Sequence, residues 1–488
     1  MTTRELQALR QRRELGGGEE KHEARWRDGS LSARERLALL LDEGSFVESG
    51  VFAGEADAPA QGVVTGFGAV EGRPVCVYAQ DFTVLGGSVG QAHADKICRV
   101  MDNALQNGVP LVALLDSAGA RLHEGLAAVA AYTRVYRKAV DLSGQVPTIG
   151  LVCGPCVGGA AWAAGLMDFV FTAGQRARVQ TWGPQVMEAA GQPAPAPAAC
   201  GVAQFAYADE RDGLLAVRQL LGYLPPNCLE DAPVVEHTES LANEEAAAAL
   251  DALTPGCYDM SWVLDAVADS VMPTYADYGS GVITALARVG GRTVGLVATQ
   301  PRTNEGMMDG AACRKAARFV RFCDAFRLPV LTLVDTAGVA MDAAEEAGGL
   351  VNSCCELLDA YARATAPKVT VLCGRANGSA MALLGCRELG MDAVYAWPQA
   401  QLSVLPPETA ANILFAREIA VAEDPAAARA AAIARWQLDE SSPLHAAELG
   451  LLDDIIAPRD TRATVLAQLE LLLGKRDRRP RGRFFRDG

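Results

Sequence analysis

The second half of the chain repeats the first at a fixed spacing, and this limits the possible folds more than any other feature. Gly62-Val63-Val64-Thr65-Gly66 lines up with Gly281-Val282-Ile283-Thr284-Ala285, and Gly72-Arg73 with Gly291-Arg292, an offset of 219 residues (281 − 62). Val109-Pro110 pairs with Leu328-Pro329, and Asp116-Ser117-Ala118-Gly119 with Asp335-Thr336-Ala337-Gly338, at the same offset. Gly154-Pro155-Cys156-Val157-Gly158-Gly159-Ala160 faces Gly374-Arg375-Ala376-Asn377-Gly378-Ser379-Ala380 at 220, and Met167-Asp168 faces Met391-Asp392 at 224. A period this long is outside the solenoid range and describes two copies of one whole domain. A chain of 488 residues is also too long for a single hydrophobic core. The expected domains are 1–245 and 246–488, with the boundary in the acidic, Ala-rich region between residues 228 and 256 that closes with Thr254-Pro255-Gly256.

Within each copy, short apolar runs alternate with helical ones. Pro74 to Ala79 reads as a buried strand. Gln91 to Asn107 carries Ala94, Ile97, Cys98, Met101 and Leu105 at helical spacing and ends before Gly108. A strand over Leu111 to Leu115, a loop over Asp116 to Gly119, a helix through Ala127 to Val140, a strand over Thr148 to Val152 and a Gly-rich turn into a helix at Gly158 follow. This order predicts an α/β fold with parallel ladders and helices packed outside.

Composition excludes several classes. Half the residues are apolar and 21% are charged, which suits a globular chain and not a disordered one. The 44 Lys and Arg against 59 Asp and Glu leave a net charge of −15, unsuited to general nucleic-acid or anionic-membrane binding. The basic tail (Lys475, Arg476, Arg478, Arg479, Arg481, Arg483, Arg486) is read as a solvated end. Thirteen scattered cysteines, many in apolar runs, fit a reducing cytosol, and the charged N-terminus lacks the apolar stretch of a secretory signal, so a cytoplasmic location is expected. Val146 to Met167 has no charge, but its prolines and glycines suit a strand, a turn and a packed helix better than a membrane span.

The side-chain inventory for catalysis is sparse. Five histidines (His22, His93, His123, His237, His445) show no metal-binding spacing, and no metal is expected. Neither a G-x-S-x-G elbow nor a Walker pattern is present. Cys153-Gly154-Pro155-Cys156 has the form of a redox C-x-x-C motif, but the second copy has Gly374-Arg375-Ala376 there, so the turn does not need the thiols. Two Gly-rich loops remain in each copy, Ser117 to Ala120 and Cys156 to Ala160, then Thr336 to Val339 and Asn377 to Ala380. Each follows a strand and precedes a helix, where backbone N–H groups are unsatisfied. Two such loops side by side can aim two N–H donors at one oxygen and stabilise an enolate. The same small residues also permit close helix-strand packing.

The residues then become recognisable. Leu31-Ser32-Ala33-Arg34-Glu35-Arg36-Leu37, Gly86-Gly87-Ser88, His93-Ala94-Asp95-Lys96-Ile97, Asp116-Ser117-Ala118-Gly119-Ala120-Arg121 with Glu124-Gly125, and Gly154 to Ala160 occur in order. Gly295 to Pro301, Lys315-Ala316-Ala317-Arg318-Phe319, Asp335-Thr336-Ala337-Gly338 and Tyr395-Ala396-Trp397-Pro398 continue the series. Over nearly its whole length the chain resembles the beta-type carboxyltransferase subunits of biotin-dependent acyl-CoA carboxylases and the related acyl-CoA decarboxylases. The resemblance implies two tandem crotonase-like domains of the ClpP/crotonase superfamily, the first on the acyl-CoA side and the second on the biotin side.

What the resemblance implies can be set on residues. Gly158 and Gly159, with Ala120, would stabilise the thioester enolate, and Ala118, Gly119, Arg121, Gly86 and Gly87 would contact acyl-CoA. Ser379 and Ala380 would hold the biotin ureido oxygen, with Gly338, Val339 and Gly378 completing the biotin site. The carboxyl group would move between biotin and the acyl α-carbon, and biotin can itself exchange the α-proton, so no protein base is needed. The resemblance further implies a homo-oligomer, a hexamer, with the first domain of one subunit against the second of another. None of the six lysines is flanked by Met, so biotin is expected on a separate biotin carboxyl carrier protein. A biotin carboxylase subunit or a membrane decarboxylase subunit would be the other partner.

The chain departs from the family pattern in places. Gly378-Ser379-Ala380-Met381-Ala382 stands where the pattern is Gly-Gly-Ala-Tyr-Asp; Ser379 lacks glycine's freedom, and Ala382 replaces an acid associated with acyl choice. Leu405-Pro406-Pro407 replaces a Met-Gly segment, and an Ala/Pro linker occupies residues 191–197. These changes leave an alternative, a non-catalytic acyl-CoA-binding or assembly subunit of a biotin-dependent complex.

Overall fold

A computed structural model describes residues 1–54, 58–192, 196–237 and 241–475. Part of the Ala/Pro linker, residues 193–195, and the tail beyond Lys475 lie outside the described residues. The chain divides into two compact units, 1–232 and 233–488. The division lies ahead of the expected 245/246, because residues just past 232 already bond to the second unit: Val235 N donates to Gly291 O at 3.0 Å and Arg288 Nη1 to Pro233 O at 2.9 Å.

The first unit is built on eight strands: β1 Val47–Ser49, β2 Val63–Val70, β3 Arg73–Gln80, β4 Leu111–Ser117, β5 Thr148–Val157, β6 Phe169–Ala173, β7 Arg178–Gln180 and β8 Phe205–Tyr207. They run β1-β2-β3-β4-β5-β6-β8, with β7 paired to the far end of β5. Five helices concern the site: α1 Ala33–Leu40, α2 Gln91–Asn107, α3 Leu126–Leu142, α4 Gly159–Gly165 and α5 Glu210–Tyr223. The second unit repeats the plan with β9 Ser270–Thr274, β10 Val282–Val289, β11 Arg292–Thr299, β12 Val330–Thr336, β13 Lys368–Asn377, β14 Ala393–Ala396, β15 Gln401–Ser403 and β16 Asp454–Ile455. Its order is β9-β10-β11-β12-β13-β14-β16, with β15 on β13. Its helices α6 Gly310–Ala325, α7 Leu350–Arg363 and α8 Ser379–Leu383 correspond to α2, α3 and α4.

The sheets are not wholly parallel, as the strand-helix alternation implied. β1, β2 and β3 are antiparallel, as are β9, β10 and β11, and only the later strands run parallel. The hairpin turns explain this. Val70 pairs with Arg73 across Glu71 (φ 51) and Gly72 (φ 75), a two-residue turn with both φ positive, which suits the twist of paired strands. Gly290 (φ 59) and Gly291 (φ 74) make the second one.

β5 also runs past Val152, where the glycine and proline suggested a turn. After a register shift it resumes as Pro155 to Val157, held by β7. Every residue of β4 and β12 is buried, as expected of central strands covered on both faces. α2 buries Ala94, Ile97, Met101 and Ala104 at helical spacing and stops at Gly108, whose φ of 61 suits a glycine C-cap. The uncharged stretch from Val146 to Met167 supplies β5 and α4 to the buried core. No helix among the described residues is long and apolar enough to cross a membrane.

Candidate active site: paired free amides at the strand ends

The carboxyl ends of β4 and β5 lie side by side, with Ser117 opposite Cys156. Beyond β4, the loop 118–121 is laced to residues 86–89. Ala118 N donates to Gly86 O at 2.9 Å, Val89 N to Gly119 O at 2.9 Å and Arg121 N to Val89 O at 2.9 Å. Gly119 N donates to Ser117 Oγ at 3.1 Å. These bonds consume every amide of the loop except that of Ala120, which has no acceptor among the described residues. The close approach needs glycine: a Cβ on Gly87 would lie 2.3 Å from Asp116 O.

Beyond β5 the chain turns through Gly158, at φ 60 and ψ −127, into α4. Gly158 N donates to Gln180 O in β7 at 3.1 Å, and Ala161 N folds back to Gly158 O at 3.1 Å. The N–H groups of Gly159 and Ala160, in the first turn, have no such partner among the described residues. The loop 118–120 and this turn are adjacent, since a Cβ on Gly119 would be 3.5 Å from Val157 O.

The second unit reproduces the arrangement bond for bond. Ala337 N donates to Glu305 O at 3.0 Å, Met308 N to Gly338 O at 3.0 Å and Ala340 N to Met308 O at 3.0 Å. Gly338 N donates to Thr336 Oγ1 at 3.1 Å, which leaves Val339 N free. Gly378, at φ 61 and ψ −139, donates its N–H to Ser403 O at 2.7 Å, and Ser379 and Ala380 keep theirs. Ser379 is not among the residues with positive φ, so the substitution of serine at this place carries no backbone strain. Glu305 stands where the first copy has Gly86 and adopts the left-handed φ of 53 that the turn demands.

Two sequence expectations need correction. Gly158 was expected to donate to the enolate, but its N–H is taken by Gln180, so its contribution is its φ, and Gly159 and Ala160 carry the free donors. Arg121 was expected to contact acyl-CoA, but it is buried, and both terminal nitrogens of its guanidinium bond inside the unit. Nη1 donates to Gln61 Oε1 at 3.0 Å, and Nη2 to Gln61 O at 3.1 Å and Ser88 O at 3.0 Å. It fixes the 86–89 segment instead. Gly86, Gly87, Ala118 and Gly119 are brought together, as are Gly338, Val339, Gly378, Ser379 and Ala380.

The sequence did not reveal what anchors these loops. Asp116 is fully buried and takes charged bonds from Arg25 and from Arg36 Nη1, the latter at 2.9 Å. Arg36, on α1, also forms a fork with Glu210 on α5 at 2.8 and 2.9 Å. Removing one member of such a set would strand buried charge at a cost of about 3–5 kcal/mol. In the second unit Asp335 is held by Gly256 N at 2.7 Å and by Arg375 N and Nε at 3.1 and 3.2 Å. A Cβ on Gly154 or Gly374 would sit 2.1 or 2.2 Å from the carboxylate of its own copy, which accounts for both glycines. The recurrence of Asp116 as Asp335 was the available signal.

Side chains near the loops are poorly placed for acid-base or redox work. Burial pushes the His93 imidazole down to about 3, so it is neutral, and its Nδ1 donates to Gln61 O at 2.9 Å. Burial pushes both Cys153 and Cys156 up to about 12, far from a reactive thiolate. Cys156 belongs to the core beneath α2 and α3, whereas Cys153 faces Arg36 and Glu210. The site therefore offers amide donors in pairs. Such donors suit an oxygen that gains negative charge.

The carboxyl transferase domain description matches residues 24–485. The chain belongs to the carboxyl transferase family. The carboxyltransferase subunit of propionyl-CoA carboxylase from Haloferax mediterranei is 38% identical, with 97% of each chain covered. The alpha subunit of methylmalonyl-CoA decarboxylase from Propionigenium modestum is 37% identical, over 98% of this chain and 96% of its own. Among solved structures, the transcarboxylase 12S hexamer with methylmalonyl-coenzyme A and methylmalonic acid bound superposes with a TM-score of 0.95 at 38% identity, covering 100% of this chain and 98% of that one. This carboxyl transferase is thus a biotin-dependent acyl-CoA carboxyltransferase subunit with two crotonase-like domains.

Proposed function

We propose that the first unit binds the acyl-CoA thioester and the second holds biotin, and that the carboxyl group moves between biotin and the acyl α-carbon. The observation that supports this is the duplicated pair of unsatisfied amides, Ala120 with Gly159 and Val339 with Ser379. In the first unit, Ala120 and Gly159, with Ala160 beside it, donate to the thioester oxygen, whose charge grows as the α-carbon becomes an enolate. These donors are fixed before the reaction by the lacing to Gly86 and Val89 and by the Gly158-Gln180 bond, so no reorganisation is needed. In the second unit, Val339, Ser379 and Ala380 offer N–H donors alone, which fits the ureido oxygen of biotin, an acceptor. Biotin supplies the carboxyl-bearing nitrogen and the means to exchange the α-proton.

The similarity to propionyl-CoA carboxylase and methylmalonyl-CoA decarboxylase subunits supports an acyl group of the propionyl or methylmalonyl class. The likeness to the transcarboxylase 12S hexamer supports a homohexamer. A separate biotin carboxyl carrier protein and a biotin carboxylase or membrane decarboxylase subunit complete the proposed assembly in the cytoplasm. The test is loss of CO2 from malonyl-CoA, methylmalonyl-CoA and glutaconyl-CoA by the purified protein, with and without free biotin or biocytin. Biotin-stimulated turnover of methylmalonyl-CoA is expected. CoA-ester binding with no turnover, even when biotinylated carrier protein is supplied, would overturn the proposal in favour of an assembly subunit.

A further inference from the structure

Two cysteines outside the site face each other across a helix pair. Cys313 lies near the start of α6 and Cys354 near the start of α7, and their sulfurs are 3.9 Å apart. A disulfide needs about 2.05 Å between sulfurs. The helices are already held at this point. Arg314 Nη1, the next residue, donates to Ser353 Oγ on α7 at 2.7 Å. The first unit brackets its equivalent helices at the same place with the arginine on the other helix, Arg134 Nη2 donating to Asp95 Oδ1 at 2.9 Å.

The first unit also shows what a purely packing role looks like. At the 219-residue offset, Cys313 and Cys354 correspond to Ala94 and Val135, both buried in the first core. Val135 is 2% exposed, whereas Cys354 is only part-buried, so the second copy leaves one residue of the pair partly exposed. The thiols are inequivalent as well. The hydrogen bond from Cys313 lowers Cys354, while the same bond, burial and nearby Asp309 raise Cys313, with Arg314 acting the other way. One sulfur is thus disposed to attack and the other to resolve.

We propose that Cys313 and Cys354 form an oxidisable dithiol that closes to a reversible disulfide clamping α6 to α7. With hydrogen peroxide as oxidant, the Cys354 thiolate attacks one peroxide oxygen, the O–O bond breaks and hydroxide leaves, taking up a proton as water. The resulting sulfenic acid is attacked by Cys313, which gives up its proton; the S–S bond forms, the S–O bond breaks and a second water leaves. Two thiols lose two electrons and two protons, and the peroxide takes them. The clamp lies just beyond Met308, which pairs with the loop carrying Val339, so oxidation ties down a helix adjoining the second amide pair.

The test treats the intact protein with hydrogen peroxide and maps its peptides by mass spectrometry under non-reducing conditions. A peptide linking Cys313 to Cys354, two hydrogens lighter than the sum of its parts, reversed by dithiothreitol and retained in Cys355→Ser, is the expected result. Cys313→Ala should lose the link and send Cys354 on to sulfinic acid, whereas Cys354→Ala should leave Cys313 reduced. Linkage of Cys354 to its neighbour Cys355, a link between chains through exposed Cys355, or oxidation of other thiols with this pair unlinked would overturn the proposal.

Discussion

Tyr136 donates its phenolic hydrogen to the carbonyl of Gly159 at 2.9 Å, so the residue bearing a free amide is held in place by a ring from α3. A Cβ on Gly159 would lie 2.6 Å from Tyr136 Oη and 3.2 Å from the Tyr132 ring. The second copy has Val351 and Cys355 at the matching positions, and there serine is accepted as Ser379. Gly159→Asp is therefore expected to abolish turnover in a folded protein, since both a side chain and a negative charge enter the oxyanion's place. Gly159→Ala should lower kcat by about 10²–10³-fold, as loss of an oxyanion donor does. Adding Tyr136→Phe to that variant removes the nearest obstructing atom and should restore part of the loss. Steady-state kinetics beside circular dichroism checks all three; wild-type kcat in a folded Gly159→Asp protein would refute the assignment of this loop.

Gly378 and Ser379 carry different burdens although they are neighbours. Gly378, at φ 61 and ψ −139, lies where only glycine is comfortable, and a Cβ there would be 3.2 Å from Val404 O. Gly378→Ala is expected to cost about 1–3 kcal/mol of stability and to shift the amides of Ser379 and Ala380. Ser379→Gly should keep turnover and lose at most about 1 kcal/mol, the helix penalty of glycine. Thermal melts with turnover assays separate the two. A strongly impaired Ser379→Gly protein would mean that the hydroxyl, and not only the amide, takes part.

The duplication and the two loop pairs were legible because glycines and the Asp-Ser/Thr-Ala-Gly strings are set by close backbone approaches that both copies share. Which amides are free was not legible. That depends on the carbonyls of Gln180 and Ser403 in the short strands β7 and β15, whose apolar runs are too brief to announce a strand. The anchoring of Asp116 was hidden for a different reason, since Arg25 and Arg36 reach it from 91 and 80 residues away. Arg121 looked like a ligand-binding arginine because most of its acceptors, the Gln61 amide and the carbonyls of Gln61 and Ser88, are uncharged groups distant in sequence, with Glu124 its one charged partner, at 3.3 Å.

The Cys153-Gly154-Pro155-Cys156 string makes a negative prediction that the strand geometry sharpens. Both thiols are fully buried within β5 and raised to about 12. Cys153→Ala should leave turnover within about two-fold and remove only a small packing contribution, about 1 kcal/mol per lost buried group of this size. Turnover measured with and without reductant should respond identically in the variant and the parent. A large loss in Cys153→Ala would return a redox role to this motif.

His93 gives the first unit a specific sensitivity to acid. Its Nδ1–H is committed to Gln61 O, and its Nε2 accepts from Gln80 Nε2 at 3.4 Å, while Gln80 Oε1 is tied to Asp116 N at 3.2 Å. A proton on Nε2 would face that amide donor, with the charges of Arg121 and Lys96 nearby, in a fully buried place. The folded value of about 3 lies below the ordinary 6.5, so between those pH values the unfolded chain binds the extra proton and stability rises with pH. Falling from pH 7 to 5 should thus remove about 2 kcal/mol through this residue alone, at 1.36 kcal/mol per pH unit below 6.5. The equivalent position in the second unit is Ala312, which contributes nothing of the kind. Urea unfolding at pH 7 and pH 5 should show a smaller acid loss in His93→Gln than in the parent, by roughly that amount; equal losses would mean that His93 is already protonated in the folded protein.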